Sequence, residues 1–348
     1  MPFENGFIDV RSDTVTQPTQ EMRMAMYKAE VGDDFYRDDP TVNRLQEKAA
    51  EILGKEDALF VSSGTLGNMV SIITQTNRGD EIIMESRAHV WRGEAGHYAL
   101  VSGLSCNRVN GVYGIMNPTD VENSIRGAIS EPKTSIILIE TPNNGAGGTV
   151  IPRENISAIA SIAHNHKLAL HIDGARIFNS TVALGISPKT YVEGTSSVMF
   201  CLSKSLCCPF GSLITGSKSF IEEARHWRIA LGGTLRQAGI MAAAGLVALD
   251  CMIDRLAEDH LNTRRLAEAL IEGGLAKLDL KSVQTNMIRA SFAQYKNRKE
   301  LTDFMYSRGI RIRVQDNGDC RLVTHYWISS EDIDKIISAL REYAHHLG

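Results

Sequence analysis

Residues 134–174, TSIILIETPNNGAGGTVIPRENISAIASIAHNHKLALHIDG, decide the architecture. Two short apolar runs rich in β-branched residues, TSIILIE and LALHIDG, flank RENISAIASIAHNH, which reads as a helix. Strand, helix, strand in that order is the unit of a parallel sheet covered on both faces. The alternation continues outward in both directions. Upstream, TVNRLQEKAAEIL reads as a helix, ALFVS as a strand, GTLGNMVSIITQT as a helix and DEIIMES as a strand. Downstream, SSVMFCLS is another buried strand. An α/β fold with a largely parallel sheet is expected.

Past GIMAAAGLVALDCMIDRLAEDHLNTRRLAEALIEGG the pattern changes. That long helical stretch leads into short strands (TNMIRASF, IRIRVQ, CRLVTHYWI) and a last helix, EDIDKIISALREYAHHL. A large domain over residues 1–245 and a small α+β domain over 246–348 are expected.

With 348 residues and 43% hydrophobic content, the chain can bury a sizeable core. Its net charge is -4, without a basic stripe, which disfavours nucleic acid and anionic membranes and favours a small-molecule ligand. The N-terminal MPFENGFIDVRSDTV has no signal-peptide pattern, and no apolar window reaches the length of a membrane span. The six cysteines form no CxxC pair and no zinc spacing. These features predict a soluble, reduced, cytoplasmic protein, with adjacent Cys207 and Cys208 as packing residues. No residue compels a metal.

Ligands of open α/β sheets collect beyond the carboxyl ends of the strands. After ALFVS, SSGTLGN opens a helix, and Ser63, Gly64 and Thr65 suit either an anion cradle or an ordinary N-cap. After LALHI, Asp173 and Arg176 of DGAR pair with each other or, alternatively, hold a heteroaromatic nitrogen and a carboxylate. Lys204 ends the next strand, where it is either a cation that snorkels to solvent or, desolvated by its apolar flanks, a neutral, nucleophilic amine. His89, after DEIIMES, is a structural histidine or a ring that stacks on a planar ligand. Together these residues meet the requirements of pyridoxal 5′-phosphate: a phosphate cradle, Asp173 for the pyridine nitrogen, Lys204 for the aldehyde as a Schiff base, and His89 for one ring face.

The chain resembles the low-specificity L-threonine aldolases, members of the fold type I, aspartate-aminotransferase-like enzymes. The likeness runs through DVRSDTVTQPT, EVGDDFYRDDPTVNRLQ, SSGTLGN, LHIDGARIFN, CLSK, LGGTLRQAGIMAAAG and RLVTH. It implies a mostly parallel seven-stranded sheet, and catalytic roles for Lys204, His89 and Asp173. It implies that Ser63, Gly64, Thr65, Ser203 and Arg236 hold the cofactor, with Arg236 reaching a neighbouring subunit. Ser12, Arg176 and Arg321 fall where the family holds the amino-acid carboxylate. Homodimers or homotetramers with sites at the subunit interface are implied.

Where relatives read ENTHN this chain reads ETPNN, which puts Asn143 at a substrate-side histidine position. CLSKGLGAP becomes CLSKSLCCP, GGGMRQ becomes GGTLRQ, and DDVYGEDPT becomes DDFYRDDPT. The resemblance implies retro-aldol cleavage of a β-hydroxy-α-amino acid of the L-threonine or L-allo-threonine type to glycine and an aldehyde. His89 or a water would take the β-hydroxyl proton, because an amide cannot accept one. Racemisation, β-elimination and transaldol transfer are the alternatives on the same scaffold.

Overall fold

The computed structural model describes residues 6–295 and 297–346. One sheet is built from β1 (Asp57–Val61), β2 (Glu81–Glu85), β3 (Ser105–Val109), β4 (Thr134–Glu140), β5 (Ala169–Asp173), β6 (Ser197–Cys201) and β7 (Ser212–Gly216). Their spatial order is β1-β7-β6-β5-β4-β2-β3. Neighbours from β6 through β3 pair in parallel, and β7 runs antiparallel to both β1 and β6. The sheet is therefore mostly parallel and seven-stranded, as the family resemblance implies. Sequence patterning had not singled out β3 and β7. β3 is an edge strand whose residues are mostly part-exposed and polar, and β7 is a five-residue run ending on glycine.

The helix between β4 and β5, Arg153–Asn165, buries Ile156, Ile159, Ala160 and Ala163. That spacing puts one apolar stripe on the sheet. Helix Pro40–Leu53 starts at Asp39, whose Oδ1 accepts from Thr41 N (3.1 Å) and Val42 N (3.0 Å). Asp39 Oδ2 accepts from Gly239 N at 2.8 Å, so one carboxylate also ties down the start of helix Gly239–Cys251. A Cβ on Gly239 would stand 2.5 Å from Asp39 Oδ1, which is why the closest residue here has none.

The long helical stretch predicted after residue 239 is two helices, Gly239–Cys251 and Leu256–Glu272. Strands Met287–Ser291 and Asp319–Val323 form an antiparallel pair beside helices Arg298–Ser307 and Ser330–His346. Ala242, Ala248 and Leu256 pack with the sheet's core, whereas Leu266 and Leu270 pack with Ile288, Leu322 and Ile336. The packing thus changes over inside Leu256–Glu272. Ile8 and Val10 also belong to the C-terminal cluster. The short strand Ile8–Asp9 pairs in parallel with Ile310–Arg311, and Val323 N donates to Val10 O at 2.9 Å.

Candidate active site

Because β1, β2, β4, β5 and β6 all run one way, their carboxyl ends share one edge of the sheet. A cavity of about 370 Å³ lies there, walled by residues that follow those strands and by parts of the N-terminal and C-terminal segments. Ser12, Ser63, Gly64, Thr65, His89 and Asp173 line it, as do Arg176, Ser203, Lys204 and Arg321. A larger surface cavity, about 590 Å³, lies near Lys55, whose ammonium already donates to Thr195 O (2.5 Å). It offers no comparable chemistry.

Asp173 ends β5 and is 1% exposed. Its Oδ1 accepts from Ala175 N (3.2 Å) and its Oδ2 from Asn68 Nδ2 (3.1 Å). Burial and the nearby Glu94 charge push its carboxyl up, against the opposing pull of Lys204 and His89. Asn68 is itself fixed by His171, since its Oδ1 lies 3.1 Å from Nε2. The other ring nitrogen of His171 meets Ser197 Oγ at 2.8 Å. Burial pushes this imidazole down to about 3, so it is a neutral strut behind Asp173.

His89 follows β2, and its Nδ1 sits 2.9 Å from Glu94 Oε1. Burial alone would raise Glu94, but hydrogen bonds from His89 and His97 bring it down to about 2. An ionised Glu94 in turn raises His89, outweighing the ring's own desolvation. Glu94 accepts at Nδ1–H, so Nε2 is the basic atom of this histidine. Glu140, last residue of β4, also lines the cavity; its oxygens accept from His89 N (2.7 Å) and Asn144 N (2.9 Å). Burial and the Asp173 charge raise Glu140 to about 7.

Arg176 does not pair with Asp173. Its Nε and Nη2 donate to the two oxygens of Asp13, each at 2.6 Å, across 163 positions of sequence. Ser205 Oγ donates to the same carboxylate at 2.8 Å. Ser205 therefore stabilises a buried ion pair. Arg321 Nη1 donates to Asn144 Oδ1 at 2.8 Å and Nη2 to Arg11 O at 3.3 Å, and among the described residues no carboxylate lies at ion-pairing distance from it.

Lys204 lies in the loop after β6, and among the described residues its ammonium has no hydrogen-bond or ion-pair partner. Cys207 N donates to Lys204 O (2.8 Å), and Cys207 takes φ +64° in the tight turn this requires. Both neighbouring thiols are buried in the core, Cys207 pushed up to about 12 by that burial, as packing residues would be. Ser63 caps helix Gly64–Thr74 by accepting from Leu66 N at 3.2 Å. The N–H groups of Gly64 and Thr65 remain as first-turn donors without intrahelical acceptors, so cap and cradle coexist. A Cβ on Gly64 would stand 2.7 Å from Cys201 Sγ, so glycine is what lets the helix start sit against β6.

Two expected site residues lie elsewhere. Asn143 is wholly buried and does not line the cavity; its Oδ1 accepts from Ala146 N (2.9 Å) and Gly114 lies against its side chain. The next residue, Asn144, reaches the cavity instead. Arg236 is outside this cavity, with an exposed guanidinium 3.1 Å from Asp33 Oδ2. Sequence reasoning missed Asp13, Asn68, Glu94 and Glu140. Of these, Asp13 in DVRSDTVT, Asn68 in SSGTLGN and Glu140 in ETPNN lie within those motifs, and only their burial marks them out.

The residues fit pyridoxal 5′-phosphate on the geometry alone. Among the described residues Asp173 has no cation at ion-pairing distance and Lys204 no partner; such a buried carboxylate suits a protonated ring nitrogen, such a lysine an aldehyde, and a helix start a phosphate.

Comparison with known proteins agrees with this geometry. The profile of the family described as beta-eliminating lyase matches residues 9–293. The chain is 39% identical to the low specificity L-threonine aldolase of Escherichia coli K12, over 97% of this chain and 99% of that one. It is 38% identical to low-specificity L-threonine aldolase 1 of Arabidopsis thaliana, over 96% of each. Among solved structures, Leishmania major threonine aldolase superposes with a TM-score of 0.83 at 16% identity, covering 97% of this chain and 99% of that one. Serine palmitoyltransferase of Sphingomonas wittichii gives 0.76 at 15% identity, covering 98% and 88%.

Proposed function

The chain belongs to the beta-eliminating lyase family and is a relative of the low-specificity L-threonine aldolases, and from that premise we propose how its residues cleave a β-hydroxy-α-amino acid to glycine and an aldehyde. The observation that carries the reading is the presence of Lys204 and Asp173 at neighbouring strand ends of one cavity, the one without a hydrogen-bond or ion-pair partner and the other a buried carboxylate with no cation at ion-pairing distance among the described residues.

Lys204 would hold the cofactor's aldehyde carbon and Asp173 its ring nitrogen, with His89 against one ring face and Ser63, Gly64, Thr65 and Ser203 around its phosphate. When bound, pyridoxal 5′-phosphate supplies an electron sink for the bond that breaks. Arg176, fixed by Asp13, and Arg321, fixed by Asn144, hold the substrate carboxylate beside Ser12. That grip sets the Cα–Cβ bond in the orientation that cleavage needs. Asn143 takes no part in this reading, since it lies behind the cavity wall. His89, made more basic by Glu94, takes the β-hydroxyl proton at Nε2, directly or through water.

We read the protein as cytoplasmic and as a homodimer or homotetramer. Six free cysteines support a reducing compartment, and an exposed Arg236 outside its own cavity supports a role toward a partner subunit. The test is a steady-state assay with pyridoxal 5′-phosphate and L-threonine or L-allo-threonine. Glycine and acetaldehyde in equal amounts are expected. A lysine-linked cofactor that yields D-amino acid, or keto acid with ammonia, would replace this reading with racemisation or β-elimination.

A further inference from the structure

A second cavity, about 480 Å³, opens beside the candidate site and shares Ser12, Thr14, Asn144 and Arg321 with it. Its wall also carries Arg11, Arg289 and Arg313, and no carboxylate lines it among the described residues. Arg11 is neutralised by Asp9, to which its Nε donates at 2.9 Å. The other three guanidiniums have no carboxylate at ion-pairing distance among the described residues. Arg289 donates only to a backbone carbonyl, Gly145 O at 3.0 Å, and Arg321 to Asn144 and to Arg11 O.

Arg289 and Arg321 are register partners on the antiparallel strands Met287–Ser291 and Asp319–Val323, so both side chains leave the same face. Like charges placed directly opposite destabilise a strand pair. Two arginines so placed, with a third on the same wall, form a chamber of one sign in a chain that is negative overall. An anion among them removes the repulsion and gains forked, charge-assisted hydrogen bonds. The α-carboxylate assigned to Arg176 and Arg321 accounts for one negative charge. Arg289 and Arg313 line only the second cavity, and that carboxylate leaves them unmatched.

We propose that this second cavity receives the side-chain end of the substrate and that this end is anionic: a β-hydroxy-α-amino acid whose side chain ends in a carboxylate or a phosphate. The inference rests on the aldolase reading above. The step balances without a further reactant. The Cα–Cβ bond breaks, the hydroxyl gives up its proton as Cβ–O becomes the aldehyde carbonyl, and Cα takes up a proton to give glycine. The anionic group leaves on the aldehyde.

The experiment uses holoenzyme and two matched substrate pairs of equal configuration, with L-threonine as reference. β-Hydroxyaspartate is set against β-hydroxyasparagine, its neutral near-isostere, and 4-phosphooxythreonine against 4-hydroxythreonine. A preference of at least about tenfold in kcat/KM for the charged member of one pair is expected, and the pair that shows it identifies the group. Arg313→Gln and Arg289→Gln should each cut that preference several-fold. Both rates come from one preparation, so the ratio is insensitive to any loss of folded enzyme. Cleavage of L-threonine with no charge preference in either pair would overturn the inference alone, as would a preference that survives both substitutions. Absence of glycine from every substrate would overturn the aldolase reading and this inference with it.

Discussion

Burying Asp13 takes its charge out of water, and the structure offsets that with two short hydrogen bonds from Arg176 and one from Ser205. Burial alone would raise this carboxyl, but the Arg176 charge and hydrogen bonds, the Lys204 charge and the Ser205 hydrogen bond together outweigh it and hold Asp13 well below its ordinary 3.8. A carboxyl lowered on folding contributes stability that is present above its unfolded value and lost as pH falls toward the folded one. Asp13→Asn leaves Arg176 uncompensated, so thermal or urea unfolding should show a loss of about 3–5 kcal/mol at neutral pH, shrinking in acid. Glu140 has the opposite sign. Raised from 4.5 to about 7, it favours the folded state when protonated, and that contribution fades as pH rises through this window. In cofactor-free protein, Glu140→Gln should remove a pH-dependent loss on the order of 3 kcal/mol, read as a smaller drop in Tm between about pH 5 and pH 8. An equal drop in both proteins would contradict the assignment. Lys204 and Asp173 were legible in the sequence because each closes an apolar run, where a lone charge is conspicuous. Asp13 and Glu94 were not, because their state is set by partners brought in by packing, and Asn143 was misplaced because motif position says nothing of which way a side chain faces.

At the scale of elements, helix starts do most of the positioning. Ser63 caps one that Gly64 lets sit against β6, and Asp39 holds two others at once. Asp39→Ala therefore removes acceptors from two helices in one change. A loss of about 2–4 kcal/mol is expected in denaturant unfolding, roughly twice an ordinary cap. A loss below about 1 kcal/mol would show that the helices hold their ends without it. Helices Pro40–Leu53, Gly64–Thr74, Arg153–Asn165 and Ser330–His346 and five near-continuously buried strands could be read from the sequence pattern, whereas helices Lys218–Ala230 and Arg298–Ser307 were not singled out. β3 gave a weak signal since an edge strand buries little, and the antiparallel direction of β7 follows from the short loop after β6, which is too brief for a parallel crossover. The break at residues 252–255 between two helices has no proline or glycine to announce it.

Across the whole molecule, the first residues belong by packing to the C-terminal unit while delivering Ser12 and Asp13 to the sheet. Domain order along the chain therefore does not follow order in space. Val10 is fully buried and its carbonyl accepts from Val323. Val10→Ala should cost about 1–3 kcal/mol and loosen the seat of Arg321. Faster amide exchange at residues 319–323 and a rise in KM larger than the fall in kcat are expected. A fall confined to kcat would place the segment's role elsewhere.

The pairing of Ile8–Asp9 with Ile310–Arg311 has a consequence for biosynthesis. Roughly three hundred residues separate the two partners, so a nascent chain carries strand Ile8–Asp9 unmatched until residues 310–311 have emerged. The large sheet has all its strands by residue 216 and can settle first. Throughout that interval Ile8 and Val10 are sticky, solvent-facing residues next to Asp13, whose partner arginine is already part of a folded unit. Emergence of residues 310–323, rather than sheet formation, then limits the appearance of a competent carboxylate site, and chains cut short before residue 310 should be captured by holdase chaperones.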